Sequence, residues 1–206
     1  MKKDFDILLN KDFQDNIHID YGIIKGNNKI VFIKVGQNGT IYGYKNKYLK
    51  IAISLNKKYG YTIICSSNPF DNNITLDNDI SIIKEYCKNN DIKSYEVYYI
   101  GHSKGGTIGA QYGYKYSCIK RMLLINAPLM INYHKTKDGL SKFNQEQVIM
   151  VYGDLDPSYK YTELLNGIQN KKFKYFIIKG QDHHFSKSMI EFKKIPEKYL
   201  IKNIIN

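Results

Sequence analysis

The middle of the chain reads Glu96-Val97-Tyr98-Tyr99-Ile100-Gly101-His102-Ser103-Lys104-Gly105-Gly106. The apolar run that ends at Ile100 predicts a buried strand, and the segment from Lys104 onward predicts a helix. A serine at such a sharp turn has a strained backbone, so the residues two before and two after it must be small, as Gly101 and Gly105 are. The segment therefore predicts that Ser103 presents its hydroxyl above the end of a strand, at a helix N-terminus that stabilises developing negative charge.

Similar apolar, β-branched runs alternate with longer mixed segments along most of the chain. This alternation is typical of parallel strands that are buried on both faces and joined by helices, so we predict an α/β fold. The predicted buried strands are Lys29–Val35, Tyr61–Cys65, Glu96–Ile100, Arg121–Asn126, Gln147–Tyr152 and Phe173–Lys179. The predicted helices are Tyr44–Tyr59, Asp77–Asn89, Lys104–Tyr116, Tyr159–Gln169 and Lys187–Ile205.

Two further strands, Asp6–Leu9 and Asn16–Ile24, are predicted before the first buried one. In the second, polar and apolar residues alternate, which indicates a half-exposed antiparallel edge and brings the sheet to about eight strands, mostly parallel, with helices on both faces. The composition does not shift along the chain, so residues 1–206 are predicted to form one domain. The polar interval Asn132–Glu146 contains the turn signal Asp138-Gly139 and is predicted to be a surface loop or a short lid.

The composition limits the classes of partner. The chain has 206 residues, 43% of them hydrophobic and 24% charged, as a folded domain requires. Its 31 Lys and Arg residues outnumber 19 Asp and Glu residues, but Arg121 is the only arginine. Because phosphate and base recognition relies on the guanidinium group, we interpret the net charge of +12 as a solvated surface and expect no nucleic-acid partner.

The same composition bears on compartment and cofactors. No apolar stretch reaches the roughly 20 residues of a membrane helix, so no membrane span is expected. Cys65, Cys87 and Cys118 are odd in number and widely spaced, which predicts reduced thiols rather than disulfides or a zinc site. The N-terminus lacks the apolar run of a secretory signal, and a cytoplasmic location is expected. We expect no cofactor and no metal, and a small-molecule or acyl-group substrate.

A serine becomes a nucleophile when a base takes its proton and a third group orients that base. Two segments could supply them: Gly153–Asp156, directly after a predicted strand, and Gly180–Phe185, after the last one. Loops that follow parallel strands open at the same edge of a sheet, so these segments can meet Ser103 there.

With these three segments in this order, the sequence resembles a compact α/β-hydrolase over nearly its whole length, from Lys29–Val35 to the final helix. The resemblance implies the α/β-hydrolase fold, with Ser103 as nucleophile, Asp156 as the orienting acid and His183 as general base. Asp154 could replace Asp156, and His184 could replace His183. The remaining histidines are expected to be structural or exposed: His18, His102 and His134.

The family also stabilises the oxyanion with two backbone N–H groups, one from the residue after the nucleophile and one from the loop after the first buried parallel strand. Here these groups would belong to Lys104 and Gln37, with Asn38 next, although Val35 stands where the family usually has histidine. If the ammonium group of Lys104 reaches the pocket mouth, it could attract an anionic acyl substrate. Aromatic residues that could line an acyl pocket are Tyr42, Tyr44, Phe70, Tyr133 and Tyr159.

These features predict a serine hydrolase that cleaves a carboxylic ester or thioester through an acyl-enzyme on Ser103. Asp156 follows the nucleophile by only 53 positions, which leaves no room for a large cap and favours a small soluble ester or a group on a larger molecule. An acyltransferase with the same three residues and a non-catalytic binding protein of the same fold are the alternatives.

Overall fold

A computed structural model describes residues 4–70, 75–202 and 204–205, and eight strands in these ranges form one sheet. The order across the sheet is β1-β2-β4-β3-β5-β6-β7-β8. The pairs β1–β2 and β2–β4 are antiparallel and all others are parallel, which confirms the predicted mostly parallel sheet with an antiparallel edge. The strands are β1 Ile7–Phe13, β2 Ile17–Ile24, β3 Asn27–Lys34, β4 Tyr61–Ser66, β5 Glu96–His102, β6 Ile119–Ile125, β7 Gln147–Gly153 and β8 Phe173–Ile178.

The central strands are largely apolar because both faces of the sheet are covered. Successive residues of a strand point to opposite faces. On β6, Leu124 packs in a core cluster on one side of the sheet, and Leu123 and Ile125 pack in a second cluster on the other side. A strand that is buried on both faces shows no alternation of polar and apolar residues, which explains its continuous apolar run.

In the described ranges, five α-helices lie on the two faces of the sheet. Buried side chains of α1 and α5 belong to one core cluster, and those of α2, α3 and α4 belong to the other, so the predicted helices on both faces are confirmed. None of the helices in the described ranges combines the length and apolar character of a bilayer span. The helices are α1 Lys47–Tyr59, α2 Asp77–Asn89, α3 Lys104–Tyr112, α4 Tyr133–Lys142 and α5 Met189–Pro196.

The predicted surface loop over Asn132–Glu146 is wrong for most of that interval, which forms α4. The side chain of Asn132 caps the helix by accepting a hydrogen bond from the backbone N–H of Lys135. Gly139 lies against α3, where an added Cβ would come within 2.2 Å of the carbonyl oxygen of Ala110. This glycine permits close helix packing rather than a turn, and the local sequence does not distinguish the two uses.

Two other predicted helices differ in kind. Tyr159–Gly167 is a 3-10 helix rather than an α-helix. In the C-terminal segment α5 ends at Pro196 and a π-helical turn follows over Glu197–Ile201. Both segments lie outside the sheet, so the architecture does not change.

Candidate active site

Ser103 occupies the turn between β5 and α3 with φ 54° and ψ −122°, a conformation that is strained for a residue with a side chain. The turn depends on its glycines. A Cβ on Gly101 would lie 2.5 Å from the carbonyl oxygen of Gly105, and a Cβ on Gly105 would lie 2.2 Å from that of Lys34. Glycine at these positions therefore lets α3 approach β3 and β5 closely while Ser103 sits at the apex of the turn.

The hydroxyl of Ser103 is hydrogen-bonded to a histidine that is in turn hydrogen-bonded to a buried carboxylate. Nε2 of His183 lies 2.8 Å from Oγ of Ser103, and its Nδ1 lies 2.5 Å from Oδ2 of Asp156. Asp156 is 4% exposed, and its other oxygen accepts a hydrogen bond from the backbone N–H of Ser158 at 2.7 Å. A carboxylate only accepts hydrogen bonds, so Nδ1 carries a proton and Nε2 is left to accept the serine proton.

The two alternative residues lie outside this hydrogen-bonded line. Asp154 holds the loop after β8, because its Oδ1 accepts a hydrogen bond at 2.6 Å from the backbone N–H of Gly180. His184 is exposed for the most part. Partial burial of its ring, together with the charge of the neighbouring His183, lowers the pKa of His184. The structure brings Asp156 and His183 to Ser103 and places their neighbours elsewhere.

The loop after β3 passes close to the serine. A Cβ on Gly36 would lie 3.2 Å from Cβ of Ser103. In the described part of the chain, the backbone N–H groups of Gln37 and Lys104 have no hydrogen-bond acceptor. Two unoccupied donors next to a nucleophile are what an oxyanion requires.

Asn68 holds this loop in place. Its side-chain amide donates to the carbonyl oxygen of Val35 at 3.0 Å, and its backbone carbonyl oxygen accepts from the backbone N–H of Asn38 at 2.7 Å. Asn68 is 1% exposed, so both hydrogen bonds are shielded from water. The backbone N–H of Asn38 is therefore engaged, unlike that of Gln37.

His102, beside the nucleophile, positions the histidine loop. Its Nε2 lies 2.9 Å from the carbonyl oxygen of His183 and must donate to it, so its Nδ1 accepts the hydrogen bond from the Tyr48 hydroxyl at 2.8 Å. Burial, together with the nearby Lys47 cation, holds the pKa of His102 well below its usual value. The ring is therefore neutral at pH 7, and it links the turn at Ser103 to the backbone of the base.

Asn126 joins the ends of β6 and β7 to the same loop, a role that the sequence analysis missed. It has φ 47° and is fully buried. Its Oδ1 accepts from the backbone N–H of Gly153 at 2.9 Å, and its Nδ2 donates to the carbonyl oxygens of His183 at 3.0 Å and Asp182 at 3.2 Å. The only sequence signal is a polar residue directly after the apolar run of β6.

The serine opens into a cleft of about 350 Å³. Three residues considered for substrate contact do not line it: Asn38 is exposed on the loop, Tyr42 lines a separate groove beside β1, and the hydroxyl of Tyr133 donates to the carbonyl oxygen of Leu164. Within the described ranges no group of three or more His, Cys, Asp or Glu side chains could hold a metal ion. The cleft is lined by Gly36, Gln37, Gly39, Gly43, Tyr44, Lys47, Tyr48, His102, Ser103, His183 and His184.

The chain matches known proteins in structure but not in sequence. No family model matches the chain, and no curated protein does. Est1E from Butyrivibrio proteoclasticus superposes with a TM-score of 0.72 at 17% identity, covering 93% of this chain and 96% of that one. An α/β serine hydrolase homologue from Coxiella burnetii gives 0.67 at 15% identity, covering 94% and 97%. XC6422 from Xanthomonas campestris, described as an α/β serine hydrolase without a lid, gives 0.66 at 15% identity, covering 93% and 92%. With its sheet order and the turn at Ser103, the chain therefore has the α/β-hydrolase fold.

Proposed function

We propose that this protein is a serine hydrolase that cleaves carboxylic esters or thioesters through an acyl-enzyme on Ser103. The observation that carries the proposal is the continuous line of hydrogen bonds from Ser103 through His183 to Asp156, which begins at an open cleft. The structural neighbours support it, since they include an esterase domain from Rhodothermus marinus and serine hydrolases.

The chemistry follows from the proton positions. Nε2 of His183 takes the proton of the Ser103 hydroxyl as Oγ attacks the carbonyl carbon, and the carbonyl oxygen becomes an oxyanion. Asp156 stabilises the resulting imidazolium through Nδ1. The C–O or C–S bond then breaks, and the leaving alcohol or thiol takes the proton from Nε2. Water repeats the sequence: it loses a proton to His183, attacks the acyl group, and releases the acid and the serine.

The oxyanion would be stabilised by the backbone N–H groups of Gln37 and Lys104. Both are free of internal acceptors in the described residues, so binding an oxyanion breaks no existing hydrogen bond. The α3 dipole adds partial positive charge at the same point. Loss of one such donor typically lowers kcat by about 10²–10³-fold.

The cleft favours small or accessible esters. Between β6 and β7 the main element is the ten-residue helix α4, which packs on α3, so no large cap covers the serine from this interval. A cleft of about 350 Å³ lies at the small end of ligand pockets. Because a structure of the neighbour Est1E has ferulic acid bound, esters of aromatic acids belong in the first substrate panel.

A fluorophosphonate probe tests the proposal directly. We expect the folded protein to be labelled on Ser103, and to hydrolyse short 4-nitrophenyl esters, while Ser103→Ala does neither. Ser141→Ala, in an exposed serine on α4, is the matched control and should behave as wild type.

The outcomes also separate the alternatives. A folded wild type that is not labelled would refute the proposal in favour of a binding protein. Labelling with product formation only when a second alcohol or amine is supplied would identify an acyltransferase.

A further inference from the structure

Lys47, the first residue of α1, is a buried cation in the wall of the candidate active site. Its side chain is 3% exposed, and it lines the same cleft as Ser103 and His183. Lysine is rarely buried without a partner because an ammonium group taken from water loses several kcal/mol of solvation. A buried ammonium group at this position therefore requires a compensating partner.

No acceptor in the described residues compensates this charge: the backbone N–H of Lys47 donates to the carbonyl oxygen of Tyr44, but its side chain forms neither a hydrogen bond nor an ion pair there. Its Nζ lies 4.6 Å from the ring centre of Phe192 and 5.2 Å from that of Tyr48, which offer only a partial substitute for water. Burial lowers the pKa of Lys47 to about 8, and the Asp182 carboxylate partly opposes that shift. At pH 7 the ammonium form still predominates.

Asp182, the carboxylate whose charge acts on Lys47, is engaged elsewhere. Its Oδ1 accepts from the backbone N–H groups of His184 at 3.0 Å and Ser186 at 2.9 Å, and its Oδ2 accepts from the Ser186 hydroxyl. These hydrogen bonds hold the pKa of Asp182 below its ordinary value. The carboxylate therefore stabilises its own turn and leaves the Lys47 ammonium group available.

The geometry points to a substrate carboxylate as the missing partner of Lys47: the substrate would be an ester or thioester that carries one free carboxylate near the bond that is cleaved. This inference rests on the proposed function. A single buried ammonium group suits a monoanion, and the nearby Asp182 charge disfavours a phosphate dianion. Lys104, the cation that the sequence analysis considered for this role, is not among the residues that line the cleft.

The size of the cleft limits the spacing between the two groups. A volume of about 350 Å³ corresponds to a cube about 7 Å on a side. An extended chain advances about 3.5 Å over three bonds, so a carbonyl carbon and a carboxylate carbon four bonds apart are separated by about 5 Å. A glutarate monoester has this spacing, and a glycolate ester places the carboxylate on the alcohol side.

Two isosteric substrate pairs test the inference. The 4-nitrophenyl monoester of glutaric acid is compared with that of glutaramic acid, and acetoxyacetate with acetoxyacetamide. We expect wild type to favour the carboxylate by about tenfold or more in kcat/KM in at least one pair, mainly through KM. Lys47→Met should lose this preference for the carboxylate within each pair, while Lys50→Met, in an exposed lysine of α1, should keep both the preference and the rate on the amides. Equal rates within both pairs for wild type, or a preference that survives in Lys47→Met, would overturn the inference.

Lys47→Arg provides a second readout, because the guanidinium stays charged. Between pH 7.5 and 9 the wild-type preference should fade as Lys47 loses its proton, while Lys47→Arg retains it. The titratable groups that contact Lys47 or act on its charge keep their own charge in this range. His102 and His184 are already neutral, with lowered pKa values, and Asp182 is ionised. Tyr48, which contacts Lys47, stays neutral because burial raises its pKa. A preference that fades equally in both proteins would contradict the assignment to Lys47.

Calorimetry separates the failure of this inference from failure of the proposed function. Monomethyl glutarate is titrated into Ser103→Ala and into Ser103→Ala/Lys47→Met. If wild type hydrolyses none of the esters, the proposed function fails. Even then, monomethyl glutarate that binds Ser103→Ala about tenfold more tightly than Ser103→Ala/Lys47→Met still supports the carboxylate site. Absence of binding to Ser103→Ala, or equal binding to both variants, overturns it.

Discussion

Replacement of Asn126 by alanine is expected to lower the free energy of unfolding by about 4 kcal/mol. The fully buried side chain makes three hydrogen bonds, to Gly153, Asp182 and His183, each worth about 1 kcal/mol net. The backbone has φ 47°, and alanine costs about 1 kcal/mol more than asparagine there. With a urea m-value of about 2 kcal/mol/M, the unfolding midpoint falls by about 2 M.

Asn38→Ala is the matched control. Asn38 has φ 54°, but it is exposed and its side chain makes no hydrogen bond within the described ranges. Its replacement therefore carries only the backbone cost of about 1 kcal/mol, a midpoint shift of about 0.5 M in urea. The difference of about 3 kcal/mol between the two variants measures the hydrogen bonds of Asn126.

Asn126→Ala should also slow the chemistry. The carbonyl of His183 keeps its hydrogen bond from His102 but loses the one from Asn126, so the imidazole is less well held against Ser103. A displacement of about 1 Å can cost on the order of 10²-fold, and we expect fluorophosphonate labelling to slow by about 10- to 100-fold. The reasoning is refuted if Asn126→Ala is no less stable than Asn38→Ala in urea and is labelled at the wild-type rate.

Three further outcomes are expected. Asp156→Asn should slow fluorophosphonate labelling by about 10³–10⁴-fold, because an amide cannot hold the imidazole in the required tautomer. Asp154→Asn should be labelled at a rate within a few-fold of wild type. Similar losses in both variants would contradict the assignment of Asp156 as the orienting acid. Asp79→Leu should lower the free energy of unfolding by about 3–5 kcal/mol, because it removes the carboxylate that lies 3.0 Å from the fully buried Lys34 ammonium. Lys34→Met added to that variant should recover most of the loss, as measured by urea unfolding. Lys47→Met should raise the free energy of unfolding by about 1–3 kcal/mol at pH 7, and this gain should shrink above pH 8. The lowered pKa of Lys47 destabilises the folded state while the side chain is protonated, and this destabilisation disappears as the pH rises from about 8 towards the unfolded value of 10.5. A gain that is constant from pH 7 to 10 would exclude this cause.

The local pattern around Ser103 predicted more than any other part of the sequence. Steric limits within a few residues determine that a serine between Gly101 and Gly105, after an apolar strand, makes a sharp turn into a helix. The same local rules predicted the buried strands, because a strand covered on both faces is apolar at nearly every position. The order of these elements was enough to predict an α/β fold, and the resemblance of three motif segments to the α/β-hydrolases implied the fold of that family.

Short-range patterns failed where one residue type serves two purposes. Asp138-Gly139 is a turn signal in isolation, but Gly139 lies inside α4 because α3 leaves no space for a side chain at that point. Packing against α3, about 30 residues earlier in the chain, determines the conformation at Gly139. A window of a few residues around Gly139 does not contain α3 and therefore does not predict this packing.

The sequence by itself determined which chemistry-bearing residues follow which strands, since that depends on strand periodicity and on glycine sterics. The tertiary structure alone decided that Asp156 rather than Asp154 reaches the imidazole, that Asn126 and His102 hold the loop of the base, and that Lys47, among 30 lysines, is buried in the cleft. Burial and hydrogen-bond partners depend on distances between segments that are far apart along the chain, and these distances arise only when the sheet assembles.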